Sequence, residues 1–272
     1  MRLLFAFCLT LLAAGSVRAG TVTPELFDIP GGSFVMGDAA GEADETPRDV
    51  TVAPFRIMRT EVTNAAFAAF VAATGHVTDR EREGWGWVWT GRWRRFPGAD
   101  WRHPNGAEST VRGLDNHPVV QVSANDARAF CEFHGLRLPG EAEWEFAARG
   151  DDGRRWPWGD EAPVQPAPPD PAAAFANYGT DDCCAASDGD GHVFTAPVAS
   201  YPLGVSPFGL QDMAGNVWEW TADRHPENPE WLAIRGGGWG NDPWCLRTSY
   251  RHGNRPEYGL NMVGFRCAGE AR

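Results

Sequence analysis

The apolar positions of this chain come in short runs, broken by glycine, proline and acidic clusters. Phe27 to Gly37 reads as two short strands around a Pro30-Gly31-Gly32 turn. The acidic stretch Asp38 to Glu45 follows as a loop, and Val50 to Val62 alternates enough for one or two more strands. Thr63 then caps an Ala/Phe-rich helix from Asn64 to about Ala73, which Gly75 ends. Five tryptophans (Trp85, Trp87, Trp89, Trp93, Trp101) sit among glycines, with Arg92, Arg94 and Arg95 nearby. They can form a substrate platform or pin a long loop; the aromatic-anchor reading is preferred.

His117 to Val122 reads as a buried strand. Ser123, with Asp126 three residues on, opens a helix to about His134 whose apolar side includes Ala127, Phe130 and Cys131. Leu136 to Arg149 is a turn and a second helix. Its Glu141, Glu143 and Glu145 cannot all share one helical face, so a solvated helix start is expected there rather than a metal site. Residues 162–174 form a Pro/Ala-rich surface connection, followed by an acidic loop from Asp181 to His192. Thr195 to Val198 reads as a strand leading to the turn Gly209 to Trp220. After a polar loop comes a last strand, Val263 to Cys267. There is no internal repeat and no clean linker, so a single domain is expected.

The turn before Trp220 holds the densest chemistry. Asp212 and Glu219 can aim oxygen at a common point, and Gly215 lets the backbone bring its own carbonyls there. Such a turn holds a hard cation or hydrogen-bonds itself, and spacing does not choose between them.

At 272 residues, 43% hydrophobic, the chain can bury a substantial core. Its 13 Trp, 32 Gly and 21 Pro argue against a helical bundle and for a loop-rich α+β body. A net charge of −12 with scattered basic residues argues against nucleic acid as a partner. All 24 basic residues are Arg, which excludes Schiff-base lysine chemistry, the P-loop lysine and the protein-kinase lysine.

Met1-Arg2, the apolar run Leu3 to Ala14 and the small residue Ala19 read as an export signal over residues 1–19. Cys8 lies inside the apolar run, so no lipoprotein anchor is indicated, and no second apolar span follows. The mature protein, residues 20–272, is expected in the periplasm or secreted, where disulfides form. It keeps five cysteines (Cys131, Cys183, Cys184, Cys245, Cys267), an odd number. A ring between the adjacent Cys183 and Cys184 would be strained, so each is expected to pair elsewhere or remain a thiol.

No His-Glu-x-x-His, His-x-His or Gly-x-Ser-x-Gly motif appears, which removes support for zinc, non-haem iron and hydrolase readings. In the acidic loop, counting from Asp188, an EF-hand frame would place its glutamate at Ala199 and so fails. A calcium site of another kind and a solvated loop both stand.

In order along the chain, Ile29-Pro30-Gly31-Gly32…Met36-Gly37, Glu61-Val62-Thr63-Asn64, Trp101-Arg102-His103-Pro104 and Arg137-Leu138-Pro139…Glu143-Trp144-Glu145 form one series. Pro157-Trp158-Gly159, Gly215-Asn216-Val217-Trp218-Glu219-Trp220, Arg235-Gly236-Gly237 and Gly264-Phe265-Arg266-Cys267 continue it. This series resembles the formylglycine-generating enzyme (sulfatase-modifying factor) family over nearly all of residues 20–272. The resemblance implies a single loop-rich α+β domain related to C-type lectins and two calcium sites. One set is Asn177 (side chain), Tyr178 (carbonyl), Asp190 (carboxylate) and His192 (carbonyl). The other is Asp212, the Gly215 and Val217 carbonyls, and Glu219. It also implies a Cys131–Cys267 disulfide, and Trp218 and Cys245 near the place of chemistry.

Members of that family activate oxygen with copper(I) held by two cysteines. Here the first of these positions aligns with Asn241, and Cys245 lies near the second. The active-site serine becomes Gly238 and a nearby asparagine becomes Met262. A copper site would therefore need Cys245 and a ligand from elsewhere: Cys183, Cys184 or His252. The hercynine-oxygenase branch is set aside because its His-x-x-x-His-x-Glu helix is missing.

Three functions follow. The first is an exported oxidoreductase diverged from sulfatase cysteine oxidation, the type that matures the pyoverdine siderophore chromophore being one candidate. The second is a genuine formylglycine-generating enzyme acting on a Cys-x-Pro-x-Arg peptide with an altered copper site. The third is a non-catalytic, calcium-stabilised binding module. The expected substrate is accordingly a peptide, a protein or a siderophore-like molecule.

Overall fold

A computed structural model describes residues 24–166, 169–180 and 184–272. The expected export signal and Cys183 lie outside the described residues. Strands β1 (Leu26–Ile29) and β2 (Gly32–Met36) flank the expected turn. Gly31 has φ 70°, and a Cβ there would meet the Val52 carbonyl oxygen at 2.5 Å, so the turn needs glycine. β3 (Arg48–Val52) pairs antiparallel with β2, and β4 (Phe55–Met58) antiparallel with β1. Helix α1 (Asn64–Thr74) starts at Thr63, whose hydroxyl accepts from Ala66 N, and ends at Gly75 with φ 69°. Both caps were legible from residue type.

The tryptophan segment is a hairpin rather than a long loop. A one-turn helix α2 (Asp79–Glu83), capped by Thr78, leads into β5 (Trp85–Trp89) and β6 (Trp93–Pro97). Trp85, Trp87 and Trp89 fall at alternate positions, so they share one face while Gly86 and Val88 are buried on the other. The main chain of Trp87 bonds to Gly259 and Asn261, which ties the hairpin to the end of the fold.

His117–Val122 is buried but forms no strand. Gln121 turns to φ 58° and donates its side-chain amide to the Trp87 and Pro104 carbonyls, so the ladder cannot continue. Thr195–Val198 is likewise irregular: Ala196 N donates to Asn216 Oδ1 and Val198 N to the Asn116 carbonyl. Helix α3 (Ala124–Phe133) has the Ser123/Asp126 capping box. In α4 (Glu141–Arg149) the glutamates are not solvated. Glu141 and Glu145, one turn apart, are buried among Arg149, Arg235 and Arg251, while Glu143 pairs with Arg137 on another face.

The segment after the Asp212 turn is a strand, β7 (Trp218–Arg224), that runs through the expected polar loop. It pairs antiparallel with β8 (Leu232–Arg235), which pairs with β9 (Arg251–Asn254). The expected last strand shrinks to β10 (Val263–Gly264), parallel to β7, because Arg266 and Cys267 turn inward to Glu219 and Cys131. β11 (Ala268–Glu270) then pairs with β4. Among the described residues these strands make a three-stranded sheet ordered β1-β4-β11 and a four-stranded sheet ordered β10-β7-β8-β9, beside the two-stranded pairs β2-β3 and β5-β6.

One buried cluster gathers Phe67, Phe130, Trp220, Ile234 and Phe265 between α1, α3 and the four-stranded sheet. A second gathers Ile29, Phe34, Ile57, Trp144 and Leu210 beneath the three-stranded sheet. The Cys131–Cys267 disulfide is present and joins α3 to the segment before β11. Among the described residues no helix is long and apolar enough to cross a membrane.

Candidate active site and cation-binding loops

Gly215, with φ 79°, lets the turn press on Asn177, whose carbonyl oxygen would lie 2.3 Å from any Cβ at that position. Asn216 N donates to that same carbonyl at 2.9 Å, and Asn177 Nδ2 donates to Asn216 Oδ1 at 3.1 Å. The loops carrying the two expected calcium sets are therefore in direct contact.

In the first set, Asp190 Oδ2 accepts from Tyr178 N at 2.7 Å and Oδ1 from His192 N at 3.0 Å. Burial pushes the Asp190 carboxyl up to about 6, against the pull of these hydrogen bonds. Asn177 Oδ1 is buried and has no hydrogen-bond partner among the described residues. Tyr201 stands between the two loops, and its phenol is raised by burial and by Asp190 and Asp212.

In the second set, Asp212 Oδ2 accepts from Ala199 N at 2.7 Å. Glu219 gives Oε1 to Arg266 Nη2 and Oε2 to Arg266 Nε, both at 2.7 Å, and Trp144 Nε1 donates to Oε2 at 2.9 Å. The Arg266 Nη2 also donates to the Gln211 and Asp212 carbonyls. A guanidinium thus braces the turn and occupies lone pairs of Glu219 that the spacing had left open.

Glu61 joins this cluster, a residue that the sequence placed in a motif without a role. It accepts from Asn216 Nδ2 and Val217 N. Burial, then the charges of Asp212 and Glu219, drive its carboxyl well above the usual range. Burial likewise carries Asp212 up to about 6. Three buried carboxylates face Arg266 here. An unspent buried carbonyl in one loop and surplus carboxylates in the other are what a bound hard cation would relieve, so both donor sets fit calcium. Among the described residues no group of three His, Cys, Asp or Glu side chains is arranged to hold a metal ion; both expected sets draw two oxygens from main-chain carbonyls.

Beside these loops lies a cavity of about 250 Å³. Trp218, at the start of β7, is 5% exposed and forms part of its wall, with Tyr250 and His252 next to its ring. The Trp218 indole N–H donates to Asn241 Oδ1 at 2.8 Å, and Gly238 N donates to the same oxygen at 3.0 Å. Asn241 Nδ2 then faces Cys184 Sγ at 3.8 Å. Cys184, Cys245, His252 and Met262 all line the cavity, both cysteines are buried, and neither belongs to the Cys131–Cys267 bridge. Trp218 and Cys245 thus line one cavity, together with Cys184 from a loop 57 residues before Asn241.

Met262 explains the glycines opposite it. A Cβ on Gly238 would come within 2.6 Å of Met262 Cγ, and one on Gly240 within 2.8 Å of Met262 Cε. The longer side chain fills the space that a serine at 238 would need. The rest of the wall is largely aromatic: Trp87, Trp93, Trp231, Tyr250 and Tyr258 contribute. Trp87 and Trp93 are therefore cavity walls, while Trp101 is a core anchor packed 5.3 Å from the Phe67 ring. The Trp-x-Trp-x-Trp alternation was the signal that distinguished a strand face from a pinned loop.

Compared with known proteins, the chain matches the sulfatase-modifying factor enzyme 1-like domain over residues 14–271. It is 43% identical to the formylglycine-generating enzyme of Streptomyces coelicolor, over 89% of this chain and 88% of that enzyme. It is 36% identical to the inactive C-alpha-formylglycine-generating enzyme 2 of Mus musculus, over 91% of this chain and 86% of that protein. The structure of PvdO from Pseudomonas aeruginosa superposes with a TM-score of 0.65 at 27% identity, covering 91% of this chain and 95% of that one.

Proposed function

The chain belongs to the sulfatase-modifying factor enzyme 1-like family, and from that premise we propose that it is an oxidoreductase diverged from sulfatase cysteine oxidation. One observation carries this reading. Cys184 Sγ lies against Asn241, the residue standing where the family's first copper cysteine is expected, and Cys245 lines the same cavity. A sulfur lost from one position is supplied from another loop.

Two soft sulfurs, Cys184 and Cys245, are the donor type that copper(I) takes, and the ion when bound would supply the activation of oxygen. Asn241, held by Trp218 and Gly238, fixes the floor on which Cys184 rests. The Asn177/Asp190 and Asp212/Glu219 loops, filled by calcium, would brace β7 from behind. Maturation of a pyoverdine-type chromophore is one candidate reaction, and a periplasmic or secreted setting accords with the amino-terminal sequence.

Anaerobic titration against a chromogenic copper(I) chelator tests the reading without relying on turnover. Tight one-to-one uptake, lost in both Cys184→Ser and Cys245→Ser, is expected. No uptake by the unaltered protein would sink the oxidase and leave the binding-module reading. The copper-loaded protein is then given a Cys-x-Pro-x-Arg peptide, where an aldehyde product by mass spectrometry would instead support a genuine formylglycine-generating enzyme. For calcium, a thermal midpoint raised by the ion and lowered by chelator is expected, and Asn177→Ala should lose the part of the shift that the Asn177/Asp190 loop contributes while the Asp212/Glu219 loop keeps its own.

A further inference from the structure

The walls of the cavity bear on what enters it. Among the described residues no Asp, Glu or Arg lines it, and most of its area belongs to Trp, Tyr and aliphatic side chains. A charged group inside would meet no carboxylate or guanidinium among the described lining residues, whereas a flat apolar ring would be enclosed on several sides. Walls of this kind favour a neutral, flat, apolar group.

The hairpin that forms one wall carries a different signal. Cross-strand pairing places Arg95 opposite Trp87 and Trp93 opposite Trp89, so Arg95 shares a face with Trp87 and Trp93, which line the cavity. The Arg95 guanidinium stacks over the rings of Trp85 and Trp87, at 4.3 and 5.3 Å from their centroids. It is exposed, as is Arg92 at the hairpin tip, and neither makes an ion pair among the described residues. Of the neighbouring cations, Arg80 is held by Glu83, Arg102 by Glu81 and Arg255 by Glu230, while Arg94 lies exposed on the other face of the hairpin, opposite Val88. In a chain of net charge −12, Arg95 and Arg92 are thus exposed arginines without carboxylate partners on the hairpin whose Trp87 and Trp93 wall the cavity, an arrangement that attracts an anion.

We propose that the substrate carries a planar apolar group that enters the cavity and an acidic group that Arg95, with Arg92, holds at its rim. This deepens the function proposed above, since it rests on the cavity being the working site. It also separates that function from oxidation of the arginine-bearing Cys-x-Pro-x-Arg motif, whose guanidinium these two arginines would repel.

The test is equilibrium binding by metal-free protein, so that it stands or falls independently of copper. The probes are 2-naphthylacetate and its neutral counterpart 2-naphthylacetamide, compared by calorimetry at low and high salt. The acetate is expected to bind about fivefold more tightly, as for a charge pair at a partly exposed site. High salt and Arg95→Gln should each erase that preference, and Arg95→Lys should restore part of it. Trp93→Ala should weaken both probes alike, which places the ring in the cavity. Equal affinity for the two probes, a preference that survives Arg95→Gln combined with Arg92→Gln, or no binding of either would overturn the proposal.

Discussion

Placing a serine at residue 238 without touching residue 262 would drive its Cβ to within 2.6 Å of Met262 Cγ. Overpacking of this kind costs about 1–3 kcal/mol. Gly238→Ser is expected to lower the urea midpoint accordingly, and Gly238→Ser with Met262→Asn to recover most of the loss. Strict additivity of the two changes would show that the residues do not share the space. His225 offers a second check. Burial lowers its imidazole below the usual histidine value, the Asp44 charge opposing and Arg251 adding to the shift. Below about 6.5 the unfolded chain then binds a proton that the folded one resists, so stability is lost as pH falls through the folded value. Denaturation midpoints measured from neutral pH downward should fall less steeply in His225→Gln, and an unchanged slope would remove the claim. At this scale the sequence was readable where one residue type dictates one conformation, as at Gly31 and Gly75. It was mute about Glu61, because nothing local shows that Asp212, Glu219 and Arg266 will surround it.

Two helix starts, Thr63 and Ser123, were legible because a cap and the residues it meets are neighbours in sequence, while Thr78 with Glu81 carries the same signal for α2 and went unread. Ser123 does more than cap α3: its hydroxyl donates to Asp79 Oδ2 at 2.6 Å as well as meeting Asp126. It therefore couples the start of α3 to the start of α2. Ser123→Ala is expected to cost about 2 kcal/mol, at the upper end for a lost cap, whereas Ser123→Thr should retain most of the stability. A loss of only a few tenths would mean that the contact with Asp79 contributes nothing. Strands were harder to read. Val119, Val120 and Val122 are as apolar as any strand, yet Gln121 at positive φ spends that run on the core without a partner strand. Conversely, β7 and β9 carry Asp223, Arg224, Arg251 and His252, and that polarity concealed their pairing.

For the molecule as a whole, the Cys131–Cys267 bridge closes a loop with a sequence separation of 136. The paired variant Cys131→Ala, Cys267→Ala should lose about 2–5 kcal/mol, read from chemical denaturation under oxidising conditions. A stability equal to that of the unaltered protein would mean that packing alone holds α3 to the end of the fold. The fold class and the family frame were legible because many short motifs recur in a fixed order. The cavity was not, because Cys184, Trp87, Asn241 and Met262 reach it from four separate stretches and meet only through tertiary packing.

The three-stranded sheet places β4 between β1 and β11, so the partner on one side is complete by residue 29 and the partner on the other only by residue 270. During synthesis, every ribosome carrying a shorter chain holds one edge of β4 bare, with Ile57 beneath it short of its cover. The sheet closes only after residue 270 has left the exit tunnel, which leaves the nascent chain open to chaperones until then.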